Sequence, residues 1–510
     1  MKASFSRRAI LKFSIGAPFL AGLGTAIAAV TSRTVSAASK LVDVTINPDT
    51  LLHPTADRIG INVNFLDDSD LQRPGARKLR SALEELEVRY VRYPGGHEAD
   101  GVTFFLDESG NTVSTPTPRL CRFGSDEWPA NDLRYWSTNS PAGTWTRDVY
   151  QLQDFLDDCA AIGAEPVIVV AVDTIANPAT GMNAWTPTKE QIIANAAAMV
   201  RWCNVTNRYG VRYWELGNEA WSAATGYARG YPDASSYGAD CADIAIAMKA
   251  EDPTILVGLN GNSEQWFKDA LVTAGAENID FLAAHRYPFF YMSYEEYQDV
   301  TVPNIVSEAN RATNAIKSLP EPDSSRIFVM MTEMGVVSGT PNDMGAAVVL
   351  AHNIGGNLVA PNVHGAMVWV TRYPPFGFGQ DQLDSLNELT PAGSAQLMTT
   401  LLAPGAMVES TSTHPDVFSF ASWNRETRRY AVLILNRADS AQTVNVHAVG
   451  AASAQLWQLH GDGPSDKNPT LSGTAITPIA GVATVQLPAA SVSTLVLVRE
   501  DEFALKLQEG

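Results

Sequence analysis

Two glutamates in this 510-residue chain close apolar runs, Glu219 at the end of Tyr213-Trp214-Glu215-Leu216-Gly217-Asn218-Glu219 and Glu333 at the end of Val329-Met330-Met331-Thr332-Glu333. Two carboxyl groups facing each other can cleave a glycosidic bond. One protonates the leaving oxygen, while the other attacks the anomeric carbon or activates water. A further Asn-Glu dipeptide, Asn387-Glu388, follows no apolar run, so the dipeptide alone carries little information. What separates Glu219 and Glu333 from the other acidic residues is their position at strand ends.

Those ends belong to a regular series. Between about residues 60 and 372, short apolar runs alternate with helical patterns, as in a parallel sheet covered by helices. Eight runs fall at 60–65, 88–94, 166–172, 212–219, 255–260, 281–287, 327–333 and 366–371. Eight β/α units make an α/β (β/α)8 TIM barrel, whose active site gathers at the C-terminal ends of the strands. Glu219 ends the fourth run and Glu333 the seventh. Leu79, Leu83 and Leu86 share one helix face, Thr186-Pro187 is placed to open a helix, and Gly163 and Gly210 to close two. An open doubly wound sheet would alternate similarly, but no Gly-rich phosphate turn follows the first run.

Past residue 395 the pattern becomes short alternating strands at 417–423, 430–436, 444–449 and 493–498, as in an antiparallel β-sandwich. The expected organisation is an export signal over 1–37, a catalytic barrel over 38–395 and a sandwich over 396–510. The stretch 41–47 is a candidate extra sandwich strand.

Ser6-Arg7-Arg8, followed by Ile10-Leu11-Lys12, an apolar run from Phe13 to Val30 and the small-residue site Val35-Ser36-Ala37, has the pattern of a twin-arginine signal. It implies a periplasmic or secreted protein. The Gly and Ala content makes the run a poor stable membrane anchor. A net charge of -19 and the lack of a basic stripe argue against nucleic acid and for an uncharged or weakly charged soluble ligand. Cys121, Cys159, Cys203 and Cys241 lack metal-ligand spacing, and Cys159 and Cys203 fall on apolar helical faces. Neither a metal nor a cofactor is expected, and the residues leave any disulfide pairing open.

The Leu-Gly-Asn-Glu and Thr-Glu segments resemble clan A glycoside hydrolases. The resemblance implies Glu219 as general acid/base, Glu333 as nucleophile, a retaining mechanism, and Asn218 on the sugar 2-hydroxyl. Arg92, in Val91-Arg92-Tyr93-Pro94-Gly95-Gly96, matches an arginine that the clan often keeps near the nucleophile, where its charge would keep Glu333 ionised. His285 and Tyr287, two residues apart at the end of the sixth run, point the same way. Trp369 on the eighth run is a candidate sugar platform. Each has a structural alternative, as an ion pair, a core histidine or ordinary packing.

Within the clan the motifs and sandwich look most like family 51, which includes α-L-arabinofuranosidases. That family usually carries Asn after the paired glycines and Trp after the nucleophile, where this chain has His97 and Met334. Family 79, which includes β-glucuronidases, and families 39 and 30 are similar too, which leaves β-xylosidase and endo-glycanase activities open. For a uronate, Arg286 and Arg372 are the candidate cations. A carbohydrate-binding protein without catalysis is the reading from another class. Trp221, Phe104, Phe105, Tyr231 and Tyr373 are among the loop aromatics on which sugar could stack, and the long segment after Gly96 is expected to wall the cleft.

Overall fold

The computed structural model describes residues 41–499 apart from 97, 108, 121–135, 138–143, 146–147, 177–185, 226–229, 288–293, 301–303, 337–339 and 374–377. The expected export signal, Cys121 and His97 lie outside the described residues.

Eight parallel strands close a barrel: β2 (Ile59–Asn62), β3 (Tyr90–Tyr93), β4 (Glu165–Val170), β5 (Tyr213–Leu216), β6 (Leu256–Gly261), β7 (Phe281–Arg286), β8 (Phe328–Met334) and β9 (Val363–Val368). Each overlaps one of the eight apolar runs. The runs read as strands because both faces are covered, one by the barrel interior and one by helices, so alternation gives way to continuous apolar sequence. The barrel floor is filled by Tyr90, Val167, Tyr213, Phe281, Met330 and Met367, which form one buried cluster. The interior is therefore a packed plug with its functional end at the strand C-termini.

The outer ring includes α1 (Leu79–Leu86), α2 (Leu152–Ile162), α3 (Lys189–Val200), α4 (Ala234–Glu251), α5 (Glu264–Ala274), α6 (Ser307–Lys317) and α7 (Met344–Val359). Leu79, Leu83 and Leu86 are buried together on α1, and Gly163 ends α2 at φ 74°. α3 opens at Thr188 instead of at Thr186-Pro187. There Thr188 Oγ1 accepts from the Gln191 backbone N–H while the Gln191 side chain accepts from that of Thr188, a reciprocal cap that outcompetes the proline. Cys159, Cys203 and Cys241 are buried and unpaired, packed as small apolar groups. Among the described residues, no helix is long and apolar enough to cross a membrane.

The helix α8 (Pro391–Thr400) runs through the boundary expected at residue 395, and the C-terminal strands begin at Ala406. Those strands are β10 (Ala406–Ser412), β11 (Val417–Asn424), β12 (Arg429–Asn436), β13 (Gln442–His447), β14 (Ala451–His460), β15 (Thr470–Ile476), β16 (Val482–Leu487) and β17 (Ser491–Arg499). The N-terminal strand β1 (Val42–His53) inserts between β10 and β13. It pairs antiparallel with β10 but parallel with β13, the one parallel pair in a sheet otherwise antiparallel. Val42, Val44 and Ile46 of β1 enter the same buried cluster as Val432, Val444, Val485 and Leu495. The chain thus crosses the sandwich before it builds the barrel. Leu350 and Ile354 of α7, Leu402 after α8, and Leu433, Leu435 and Val492 of the sheet form one continuous apolar layer between the two units.

Candidate active site

The base of the site is Arg92, at the end of the second barrel strand and without solvent exposure. All five of its N–H donors are used: Nε to Glu215 Oε2 (2.7 Å), Nη1 to Asn62 Oδ1 (2.9 Å) and Glu333 Oε1 (2.8 Å), and Nη2 to Glu215 Oε1 (3.1 Å) and Asn218 Oδ1 (2.9 Å). Burial works against its charge, but Glu215 and then Glu333 outweigh that cost and hold the guanidinium above its ordinary range. Arg92 therefore fixes Glu333 and orients the Asn218 amide with its oxygen inward. Asn62 is held in turn by donation to the Thr332 and Val368 carbonyls, at 2.9 and 3.2 Å.

Glu333 sits on β8 with its second oxygen accepting from the Tyr287 hydroxyl at 2.9 Å. Burial, then the Glu333 carboxylate, push that hydroxyl well above its usual range, so it remains a donor. An irregularity between Ala284 and His285 in the β7–β8 pairing brings His285 opposite Glu333. His285 Nδ1 then lies 3.2 Å from Glu219 Oε1 and 3.4 Å from Glu333 Oε2. Burial would depress the imidazolium, but Glu333 and Glu219 together reverse that and the net shift is upward.

Glu219 follows the fourth barrel strand on a turn built from two left-handed residues, Gly217 at φ 76° and Glu219 itself at φ 49°. A side chain at 217 would meet Val172 Cγ2 at 2.7 Å, so glycine is required there. Between them, Asn218 donates its backbone N–H to Asp100 Oδ1 at 3.0 Å. The result brings one carboxylate oxygen each from Glu219 and Glu333, with a nitrogen of His285, within 4.8 Å of one another. Such a trio could offer ligands to a metal ion. Both oxygens of Glu333 already accept hydrogen bonds, from Arg92 and from Tyr287, and Nδ1 of His285 is set between the two carboxylates for proton transfer.

Trp369 directly follows β9, and its indole packs on the paired glycines after β3. Gly95 and Gly96 have φ of 90° and 50°, and a β-carbon at Gly96 would stand 2.2 Å from Trp369 Cη2. The paired glycines thus leave room for the indole, whose ring is 5.8 Å from that of Tyr373. Gly96→Ala is expected to cost about 1–3 kcal/mol in backbone strain and to lower kcat/KM by roughly 10–100-fold through a displaced Trp369. A melting temperature and a kinetic measurement on the same sample check this, and an unchanged kcat/KM would remove Trp369 from the site. Trp221 meets His285 edge-on, with ring centroids 5.4 Å apart.

Several expected contributors lie elsewhere. Phe104 packs against Phe65 and Tyr93, Phe105 against Trp202, and the Tyr231 hydroxyl donates to Asp240, so all three are core residues beneath loops. Arg286 is paired with Glu308 at 3.1 Å, and Arg372 with Asp68 and Asn387, so both candidate uronate cations are already engaged. Met334 is buried on the helix side of the barrel, 3.7 Å from Asn357 Nδ2 on α7, and does not line the cleft. Asn62 and Glu215 were not legible as site residues. The one available signal for Glu215 was a charge inside an otherwise apolar strand.

Residues 82–301 match the family model described as the alpha-L-arabinofuranosidase 1 domain. A curated relative, a probable alpha-L-arabinofuranosidase C of Aspergillus niger, is 24% identical over 295 residues, which cover 51% of this chain. The match spans about half (50%) of that relative's length. Among solved structures, an alpha-L-arabinofuranosidase of Thermotoga maritima in an arabinose complex superposes with a TM-score of 0.68 at 17% identity, covering 89% of this chain and 99% of that one. A family 51 alpha-L-arabinofuranosidase of Bifidobacterium longum gives 0.65 at 17% identity, covering 90% and 100%. The resemblance to clan A glycoside hydrolases, and among them to the family 51 α-L-arabinofuranosidases, therefore holds in the matched domain and in the fold.

Proposed function

We propose that the chain is a retaining glycoside hydrolase that releases α-L-arabinofuranosyl groups from plant or microbial glycans. The observation that carries this reading is that one carboxylate oxygen of Glu219 and one of Glu333 lie within 4.8 Å of each other. Retention needs carboxyl groups ~5–5.5 Å apart, whereas inversion leaves ~6.5–9.5 Å for a water. In this reading Glu333 Oε attacks the anomeric carbon while Glu219 gives its proton to the leaving oxygen. The glycosyl ester on Glu333 is then hydrolysed by a water whose proton returns to Glu219. Asn218 holds the 2-hydroxyl, and Trp369 and Trp221 supply apolar walls.

The engagement of Arg286 and Arg372 by their own acidic or amide partners favours a neutral glycone over a uronate. A panel of chromogenic α-L-arabinofuranoside, β-D-glucuronide, β-D-xyloside and β-D-glucoside, run beside Glu333→Ala, tests the reading. Release from the arabinofuranoside alone, lost in the variant, supports it. Release from another sugar replaces the glycone, and binding of oligosaccharide without any release makes the barrel a binding protein.

The reading includes export through the twin-arginine route, supported by Ser6-Arg7-Arg8 and the apolar run to Val30. Replacing Arg7 and Arg8 together by lysine is expected to leave the precursor in the cytoplasm of an expressing bacterium, read by fractionation and immunoblot. Unimpaired export of that variant would reject the route.

A further inference from the structure

Glu215 is the third carboxylate of this site, and the hydrolytic scheme gives it no role. It lies four residues before Glu219 in the middle of β5, fully buried, with both oxygens on Arg92. Thr332 Oγ1 donates to its Oε1 at 3.3 Å. The same oxygen faces His285 Nε2 at 3.9 Å, and that ring nitrogen has no hydrogen-bond partner. One carboxylate thus stands behind both residues that flank the Glu219–Glu333 pair, the guanidinium on one side and the imidazole on the other.

Resting on the glycosidase reading, we propose that Glu215 is the positioning residue of the site, which locks the Arg92 fork and sets the charge against which Glu219 and Glu333 work. Two consequences follow from its placement. The bidentate grip leaves Arg92 three N–H groups, one each for Asn62, Glu333 and Asn218, so the direction of the last two is set by Glu215 together with Asn62. Its charge offsets that of Arg92, so the guanidinium does not draw the proton off Glu219 or blunt Glu333 as an attacking group. The charged and titratable groups around Glu215 are Arg92 on β3, Glu333 on β8, His285 and Tyr287 at the end of β7, Tyr237 on α4, and Glu219 on its own segment. Asp100 and Asp173 stand by the Asn218 and Gly217 backbone.

Glu215→Gln keeps the shape and removes the charge. On a glycoside that the wild type cleaves, kcat is expected to fall roughly 10–100-fold with KM within a few-fold. The alkaline limb of the kcat/KM profile, which reports loss of the acid's proton, moves to lower pH by about one unit, because one less negative charge favours ionisation of the remaining carboxyl group. Glu215→Asp keeps the charge but is one methylene short, so it is expected to lose kcat while the limb stays in place. The titration midpoint of His285, followed by NMR with ring-labelled histidine, falls in Glu215→Gln, a readout independent of which sugar is cleaved. If Glu215→Gln folds with wild-type kcat, limb and His285 midpoint, the proposal is overturned. If Glu215→Gln fails to fold and Glu215→Asp is folded and fully active, Glu215 is merely structural, which also overturns it. A wild type silent on every glycoside, with a lowered His285 midpoint in Glu215→Gln, rejects the glycosidase reading and keeps the electrostatic assignment.

Discussion

Glu333→Ala is expected to lower kcat/KM on the preferred aryl glycoside by roughly 10⁴-fold or more while the melting temperature changes little. The loss follows from the two-step scheme, because among the described residues the neighbouring carboxylates are already committed, Glu215 to Arg92 and Glu219 to the proton transfer. The small stability change follows from the surroundings. Glu333 accepts from Arg92 and Tyr287, and its removal leaves Arg92 paired with Glu215, Asn62 and Asn218. The truncated side chain also leaves room for a small anion next to a guanidinium. Azide should therefore restore turnover by attacking the anomeric carbon directly while Glu219 protonates the leaving group, giving a glycosyl azide of inverted configuration. Activity of Glu333→Ala within tenfold of wild type, or an azide product of retained configuration, would sink the assignment of Glu333 as nucleophile.

Much of this arrangement was legible in the residues because the barrel imposes a rule connecting sequence to place. Strands covered on both faces write themselves as apolar runs, and a glutamate that ends such a run must emerge at the open end. Glu219 and Glu333 obey that rule, and Arg92, His285 and Tyr287, which the resemblance to clan A singled out, stand at or near the ends of strands of the same set. Residues inside the strands escaped it. Glu215 and Asn62 are polar groups within apolar runs, and their meaning lies in partners 123 and 30 positions away from them, both on Arg92. No local pattern records such pairings. Loop aromatics misled for a related reason. Phe104, Phe105 and Tyr231 have the side chains a sugar would stack on, but a loop lying on a barrel must bury its own apolar surface, and these residues do that. In the sandwich, Thr470–Ile476 was illegible because most of it is exposed, so it shows no apolar face. The parallel pairing of β1 with β13 depends on a strand just over 400 residues distant.

Glu219→Ala should behave differently from Glu333→Ala, and the difference is the sharper test of the pair. Departure of a poor leaving group needs the proton of Glu219, so on natural oligosaccharides or alkyl glycosides the rate of bond cleavage is expected to fall roughly 10²–10⁴-fold. A dinitrophenolate leaves without protonation, so Glu333 can still form the glycosyl ester at a rate near that of the wild type. Hydrolysis of the ester, however, has lost its base. The variant is therefore expected to release a burst of one equivalent of dinitrophenolate per site and then turn over slowly, with an apparently lowered KM because the ester accumulates. Azide, which needs no base, should relieve the second step and yield a glycosyl azide of retained configuration, opposite to the Glu333→Ala product. The alkaline limb of the pH profile should vanish with the carboxyl group that produces it. His285, 3.2 Å from Glu219 Oε1 and 3.4 Å from Glu333 Oε2, is the one neighbour positioned to substitute as a base among the described residues that contact both. A double variant Glu219→Ala/His285→Gln should therefore deepen the slow phase without changing the burst. Equal losses on dinitrophenyl and alkyl glycosides, with no burst, would show that the residue at the end of the fourth barrel strand neither gives nor takes the proton.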